Sequence, residues 1–177
     1  MVWKISTDEL LVRYKAGERN FAGIELTLDF NKGDSVEAIY GLAGADLRGI
    51  NLRGANLRGA VMEGVDLREA DLFSACLTWA DLSNSNLSNA NLESVSCVET
   101  VFTGADLTRA SLNWMNANGA FFDDTKIGGF ENSILTNANF RDSSPHNKRG
   151  ICGSCNLIWN TVMPDGTVEK GPYWGEW

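Results

Sequence analysis

Cys152-Gly153-Ser154-Cys155 is the one CxxC in this chain, and His146 is its one histidine. Together they offer three soft metal ligands, but a closed zinc site takes four, and no fourth residue stands at a matching spacing. A redox dithiol belongs at a strand-to-helix junction of a βαβ unit, a pattern the surrounding sequence lacks. Two thiols or a local disulfide remain as the readings of Cys152 and Cys155. Nucleophilic catalysis by a Ser-His-Asp or Cys-His arrangement would have to use His146, which sits in the polar run Ser143-Ser144-Pro145-His146-Asn147. The carboxylates fall mainly at regularly recurring polar positions, as do the glycines of RGINLRGANLRG, so neither a pair of catalytic acids nor a phosphate loop is indicated. The expectation is a protein that is not an enzyme and holds no metal or cofactor, with Cys152, Cys155 and His146 as its only metal candidates.

Charge narrows the partners. Lys plus Arg total 15 against 23 Asp plus Glu, a formal net charge of −8 over 177 residues. Direct nucleic-acid binding needs clustered positive charge and is not expected. No apolar run approaches the ~20 residues of a membrane span, and MVWKISTDEL lacks the basic and apolar segments of a secretion signal. Four cysteines are too few for a disulfide scaffold, which points to a reducing cytoplasm.

What positions these residues is a repeat. Steps of five from Leu42 to Ile127 land on eighteen apolar residues, twelve of them Leu. Two residues before each centre the chain is usually small, as at Ala55, Ala75 and Ala90; one residue before, it is often Asp or Asn, as at Asp46, Asn56 and Asp71. A period of five matches neither the 3.6 of a helix nor the 2.0 of a strand. It suits a chain that turns a corner every five residues with one large and one small side chain inward. Four segments then close a coil of 20 residues. Every twentieth residue forms an inward column: Leu57, Leu77, Cys97, Ala117 shrinks along the axis, while Met62, Leu82, Phe102, Phe122 grows. Val95 and Met115 replace the small residue where Cys97 and Ala117 lose volume, as a core of constant density requires. After Ile127 the centres resume at Phe130, Leu135 and Phe140, two residues early, which predicts one irregular coil around Gly128-Gly129.

The segments ADLRG, ANLRG, ADLFS, ADLSN, ANLES and ADLTR make this sequence resemble the pentapeptide-repeat family over residues 42–140. That resemblance implies an all-β solenoid, a right-handed quadrilateral β-helix, with the centres and the small residues filling its interior. The stretch NTVMPDGT is similar to a tail segment of cyanobacterial members. Some acidic members mimic DNA and bind a topoisomerase, dimerising end to end through an apolar terminus. Residues 42–140 hold 12 acids and 6 bases, acidic but interrupted by Arg48, Arg53, Arg58 and Arg68, and the tail here reads as a cap, which favours a monomer.

The ends are expected to differ from the repeat. Residues 1–20 read as an N-terminal helical cap: Ser6 is an N-cap with Glu9 reaching back, Ile5 and Leu10 form a staple, and Gly17 ends a helix over 7–16. Residues 21–41 comprise two entering repeats, centred on Phe21 and Leu26, and a protruding loop over 27–41. Residues 141–177 form a C-terminal cap with two short strands around Pro164-Asp165-Gly166.

Phe73, Trp79 and Trp114 occupy outward positions where polar residues are expected. They are either packed beneath a loop or they bind a partner. The functional expectation is a non-catalytic scaffold that binds an unidentified protein through its faces. The alternatives are an acidic DNA mimic that binds a topoisomerase and a metal or redox site at the CxxC.

Overall fold

The computed structural model describes residues 3–27, 41–144, 149–152 and 155–174. Its frame is a parallel ladder in which each residue before a centre bridges its counterpart one coil later. Asp46 pairs with Asp66, Asn51 with Asp71, Asn56 with Cys76, and Val61 with Asp81. Four such pairings at five-residue intervals define four faces, and the step of twenty confirms the coil length. The first face runs from Asp46 to Ser144 and the second from Asn20 to Ser111. The third runs from Glu25 to Leu157 and the fourth from Val61 to Val162.

The backbone explains why the repeat is five residues long and why Asp or Asn precedes the centre. The amide of Leu67 donates to Asn86 O, that of Asn86 to Val65 O, and that of Glu69 to Ser88 O, three bonds per face between neighbouring coils. Ala70 N–H donates to Leu67 O and closes the corner. One amide per segment is left over, that of the residue after the centre. It donates to the Asp or Asn side chain two residues back: Arg68 to Asp66, Phe73 to Asp71, Ser88 to Asn86, Glu93 to Asn91. Every amide of such a segment is thereby satisfied. The second residue after the centre has a positive φ, 63° at Gly54, as the third position of a type II turn requires.

Inside, the centres from Leu47 to Phe140 are almost wholly buried, with Val95, Met115, Cys97 and Ala117 among them. The widening column stacks Phe102 on Phe122 at 5.0 Å and Phe122 on Phe140 at 4.8 Å, with Phe130 edge-on. Thr100 and Thr125, in the small position, turn their hydroxyls to Leu77 O and Phe102 O, so their burial is compensated. The irregular coil is present. Asn116 pairs with Ile134, Phe121 with Asn139 and Lys126 with Ser144, a step of eighteen. The next coil is long, with Ile134 on Leu157 and Asn139 on Val162, and contains helix α2 (Arg149–Cys152). Buried Asn156 ties these coils together, donating to Phe130 O and Ile151 O and accepting from Ser133 N–H.

At the N-terminal end, β1 (Trp3–Ser6) pairs in parallel with β2 (Ile24–Thr27), which continues the third face through the bridge from Glu25 to Asn56. Helix α1 (Thr7–Lys15) starts at Ser6, whose Oγ accepts from Glu9 N–H. The Glu9 carboxylate meets Arg13, not the Ser6 amide as the capping-box reading has it, because Arg13 stands one turn along the same helix face. Leu10 and Tyr14 are buried, and Tyr14 Oη donates to Arg48 O in the first coil. Phe21, Ile24 and Leu26 fill the interior as entering repeats. The expected loop lies largely outside the described residues, which omit 28–40.

On the first face β3 (Asp106–Leu107) pairs in parallel with β4 (Lys126–Ile127). Further on, β5 (Leu157–Ile158) pairs antiparallel with β8 (Tyr173–Trp174), and β6 (Thr161–Val162) antiparallel with β7 (Val168–Glu169). The β6–β7 turn is the expected Pro-Asp-Gly turn, with Met163 N–H bonded to Thr167 O. The reversal of direction ends the parallel stack.

Candidate interaction surface

With the interior of the repeat closed by Leu and Phe, its side chains open to another molecule lie on the faces. Phe73 and Trp114 share the second face, joined through the bridges Asp71–Asn91–Ser111, and Trp79 follows on the third. Trp79 is 55% and Trp114 60% exposed, whereas Phe73 is half-buried. The tryptophans are therefore not packed beneath a loop. Phe73 and Trp79 are each covered by an arginine from the preceding coil: Arg53 lies 4.3 Å from the Phe73 centroid and Arg58 3.9 Å from that of Trp79. Such stacking keeps part of the ring dry while leaving its edge available. Trp79 and Trp114 stand at the turn position with φ of 64° and 60°. Bulky side chains are rare there.

Three of the four arginines that interrupt the acidic repeat are paired with its acids. Arg48 and Arg68 each fold back on the acid two residues earlier, at 2.6 Å from Asp46 and Asp66, and Arg53 reaches Asp71 at 3.1 Å. Arg58 stacks on Trp79. The Arg48 side chain, hydrogen-bonded to Asp46, holds that carboxyl down at about 2, and Arg68 likewise lowers Asp66. At Asp106 a bond from Thr108 has the same effect, aided by Lys126.

The cysteine candidates are not assembled. Cys152 is half-buried with its Sγ 3.9 Å from Met163 Sδ, and Cys155 is exposed. His146 lies outside the described residues. Among those described, no group of three or more His, Cys, Asp or Glu is placed to hold a metal. Cys76 is half-buried beside Thr78. Burial pushes the Cys97 thiol far above its usual range, which leaves it inert.

Sequence reasoning missed two features. The arginine covers were readable, since Arg53 and Arg58 stand about one coil before Phe73 and Trp79. Phe121, 44% exposed, replaces the Asp or Asn before a centre. That substitution was legible too.

Sequence comparison bears on the frame that carries these side chains. The family model for pentapeptide repeats (8 copies) matches residues 42–72, 50–89 and 85–124. Residues 42–124 are pentapeptide repeats. The chain is a pentapeptide-repeat protein over that span, and the bridges above are the ladder its repeats build. No curated protein sequence matches the chain. Among solved structures it is similar to HetL, a pentapeptide repeat protein involved in heterocyst differentiation regulation from the cyanobacterium Nostoc sp. strain PCC 7120. The two are 20% identical with a TM-score of 0.43, over 93% of this chain and 100% of that one. A pentapeptide repeat protein from the Arabidopsis thaliana thylakoid lumen is 24% identical, TM-score 0.34, covering 77% of this chain and 92% of that one. Full-length QnrB1, a plasmid-mediated fluoroquinolone resistance protein, is 15% identical, TM-score 0.27, covering 89% and 90%. Among the described residues no helix is long and apolar enough to cross a membrane.

Proposed function

We propose that this protein is a non-catalytic scaffold of the cytoplasm that binds a protein partner through the faces of a right-handed, four-sided β-helix. Helix α1 closes one end of that helix and the segment after residue 140 closes the other, which favours a monomer. One observation carries the reading: Trp79 and Trp114 are held exposed in left-handed turn positions. Other segments place Gly or polar residues such as Glu69, Asn84 and Arg109 at this position, where water suits them, whereas Trp79 and Trp114 leave an indole there. Large exposed aromatics on an ordered surface point to recognition.

The alternative of an acidic DNA mimic is weakened by Arg48, Arg53 and Arg68, whose guanidiniums neutralise Asp46, Asp71 and Asp66. Imitation of a phosphate backbone needs an unbroken negative run.

The test is the double substitution Phe73→Ser and Trp114→Ser. As bait, the unaltered protein is expected to capture a partner that the variant loses, because each buried aromatic anchor is worth about 2 kcal/mol. The variant should melt at nearly the same temperature. A folded variant that keeps every partner places the interface elsewhere; an unfolded one makes the aromatics structural.

A further inference from the structure

The fourth face carries a second surface that the aromatic triad does not touch. Its outward column runs Val101, Phe121, Asn139, Val162 on successive coils, and Val168 joins Val162 across the β6–β7 pair. Phe121 is 44% and Val168 43% exposed, and Trp159, 54% exposed, stands three residues before Val162 on the adjoining third face. At strand spacing these rungs span roughly 19 Å. Where Asp or Asn stands at this position its side chain accepts the amide two residues on, as Asn139 does for Arg141. Val101 and Phe121, like Val61 on the same face, supply no such acceptor, and Phe121 puts an exposed ring in its place.

Charge lines one edge of this strip. Asp124 and Asp142 follow the centres of the same face at the same left-handed turn position on successive coils, and Asp165 lies beyond them in the β6–β7 turn. Asp124 N–H donates to Arg141 O and Asp142 N–H to Pro164 O. Asp123 adds a fourth carboxylate, hydrogen-bonded to Asn139 Nδ2 at 2.8 Å, and Arg141 is the cation among them. An apolar strip edged by carboxylates complements a chain with apolar residues on one side and Lys or Arg on the other. A second copy of this chain would bring the same acids against its own.

We propose that the C-terminal half of the fourth face docks a cationic amphipathic segment of a partner protein. The inference rests on the scaffold reading and assigns it a second face and a partner chemistry. Three synthetic peptides test it by calorimetry: an amphipathic Leu/Lys peptide, its Leu/Glu counterpart, and a scrambled Leu/Lys peptide with no apolar side. The first is expected to bind at least about tenfold tighter than the others, and Phe121→Ser with Val168→Ser to weaken it by at least about tenfold. Asp124→Asn with Asp142→Asn should weaken it and flatten its salt dependence. All four side chains point outward, and thermal melts check that each variant folds. Equal binding of the scrambled peptide overturns the inference, as does unchanged binding by the Phe121/Val168 variant. So does self-association of the unaltered protein in sedimentation that this variant abolishes. The Phe73/Trp114 variant separates the two readings: it is expected to keep the peptide. Loss of the peptide only there leaves the scaffold standing and removes the fourth face.

Discussion

Replacing Leu87 by Ala tests the stacking register at its centre. Leu87 is fully buried in the inward column between Leu67 and Leu107. Its own coil is bonded to the next one, Leu87 N–H to Asp106 O at 2.8 Å and Asp106 N–H to Ser85 O at 2.9 Å. Coils held by such ladders on both sides cannot close on a void, so most of the deleted volume stays empty. Loss of three buried carbon atoms costs roughly 2 kcal/mol in transfer, and the unrelaxed cavity adds about 1–2 more. The expected loss is about 3–4 kcal/mol, read from urea unfolding followed by far-ultraviolet circular dichroism with an unchanged m-value. Cys97→Ala, where Val95 already fills the column, is the internal comparison and should lose clearly less. A Leu87→Ala loss under about 1 kcal/mol would refute the argument, because it would mean that the coils can collapse or that Leu87 is not interior.

Asn86→Ala removes the acceptor of both Ser88 N–H, at 3.0 Å, and Ser88 Oγ, at 2.8 Å. It should cost about 1 kcal/mol while Asn86→Asp stays near neutral; equal losses in the two would break the assigned role of the residue before the centre. Acid should act through the arginine-paired carboxyls. Asp46 sits at about 2 when folded against an ordinary 3.8, so its stabilisation is complete above about pH 4 and disappears as pH falls toward 2. The stability difference between the unaltered protein and Asp46→Asn should therefore close over that window, and a difference that persists at pH 2 contradicts the pairing.

The coil was legible because it is periodic and its constraint is local. Each segment must bury one centre, fit one small residue, satisfy one leftover amide and turn one corner, and each demand selects a residue type at a fixed offset. The eighteen-residue coil was legible for the same reason, since Phe130 arrives two residues early and steric closure leaves it no other place. Residue type alone hid the side-chain partners on the faces. Glu9 had two acceptable partners, the Ser6 amide and Arg13, and only helix geometry chose between them. Arg58 had acids in the sequence around it but lies over Trp79, because indole and guanidinium stand on adjacent coils of one face.

This asymmetry bears on where function can be read in a repeat fold. A position that obeys the repeat is explained by the repeat and says nothing more. Departures are informative only when they fail to repair the fold. Val95 and Met115 depart from the small residue and are repaid in volume beside Cys97 and Ala117, so they belong to packing. Thr100 and Thr125 depart as well, and their hydroxyls are repaid by the Leu77 and Phe102 carbonyls. Trp79, Trp114 and Phe121 put exposed rings where most other segments carry Gly or polar side chains; Arg58 covers one side of Trp79, and Phe121 gives up the acceptor that Asp or Asn supplies in other segments. Rings left this exposed gain little within the chain, and the faces that carry them are where a partner should be sought.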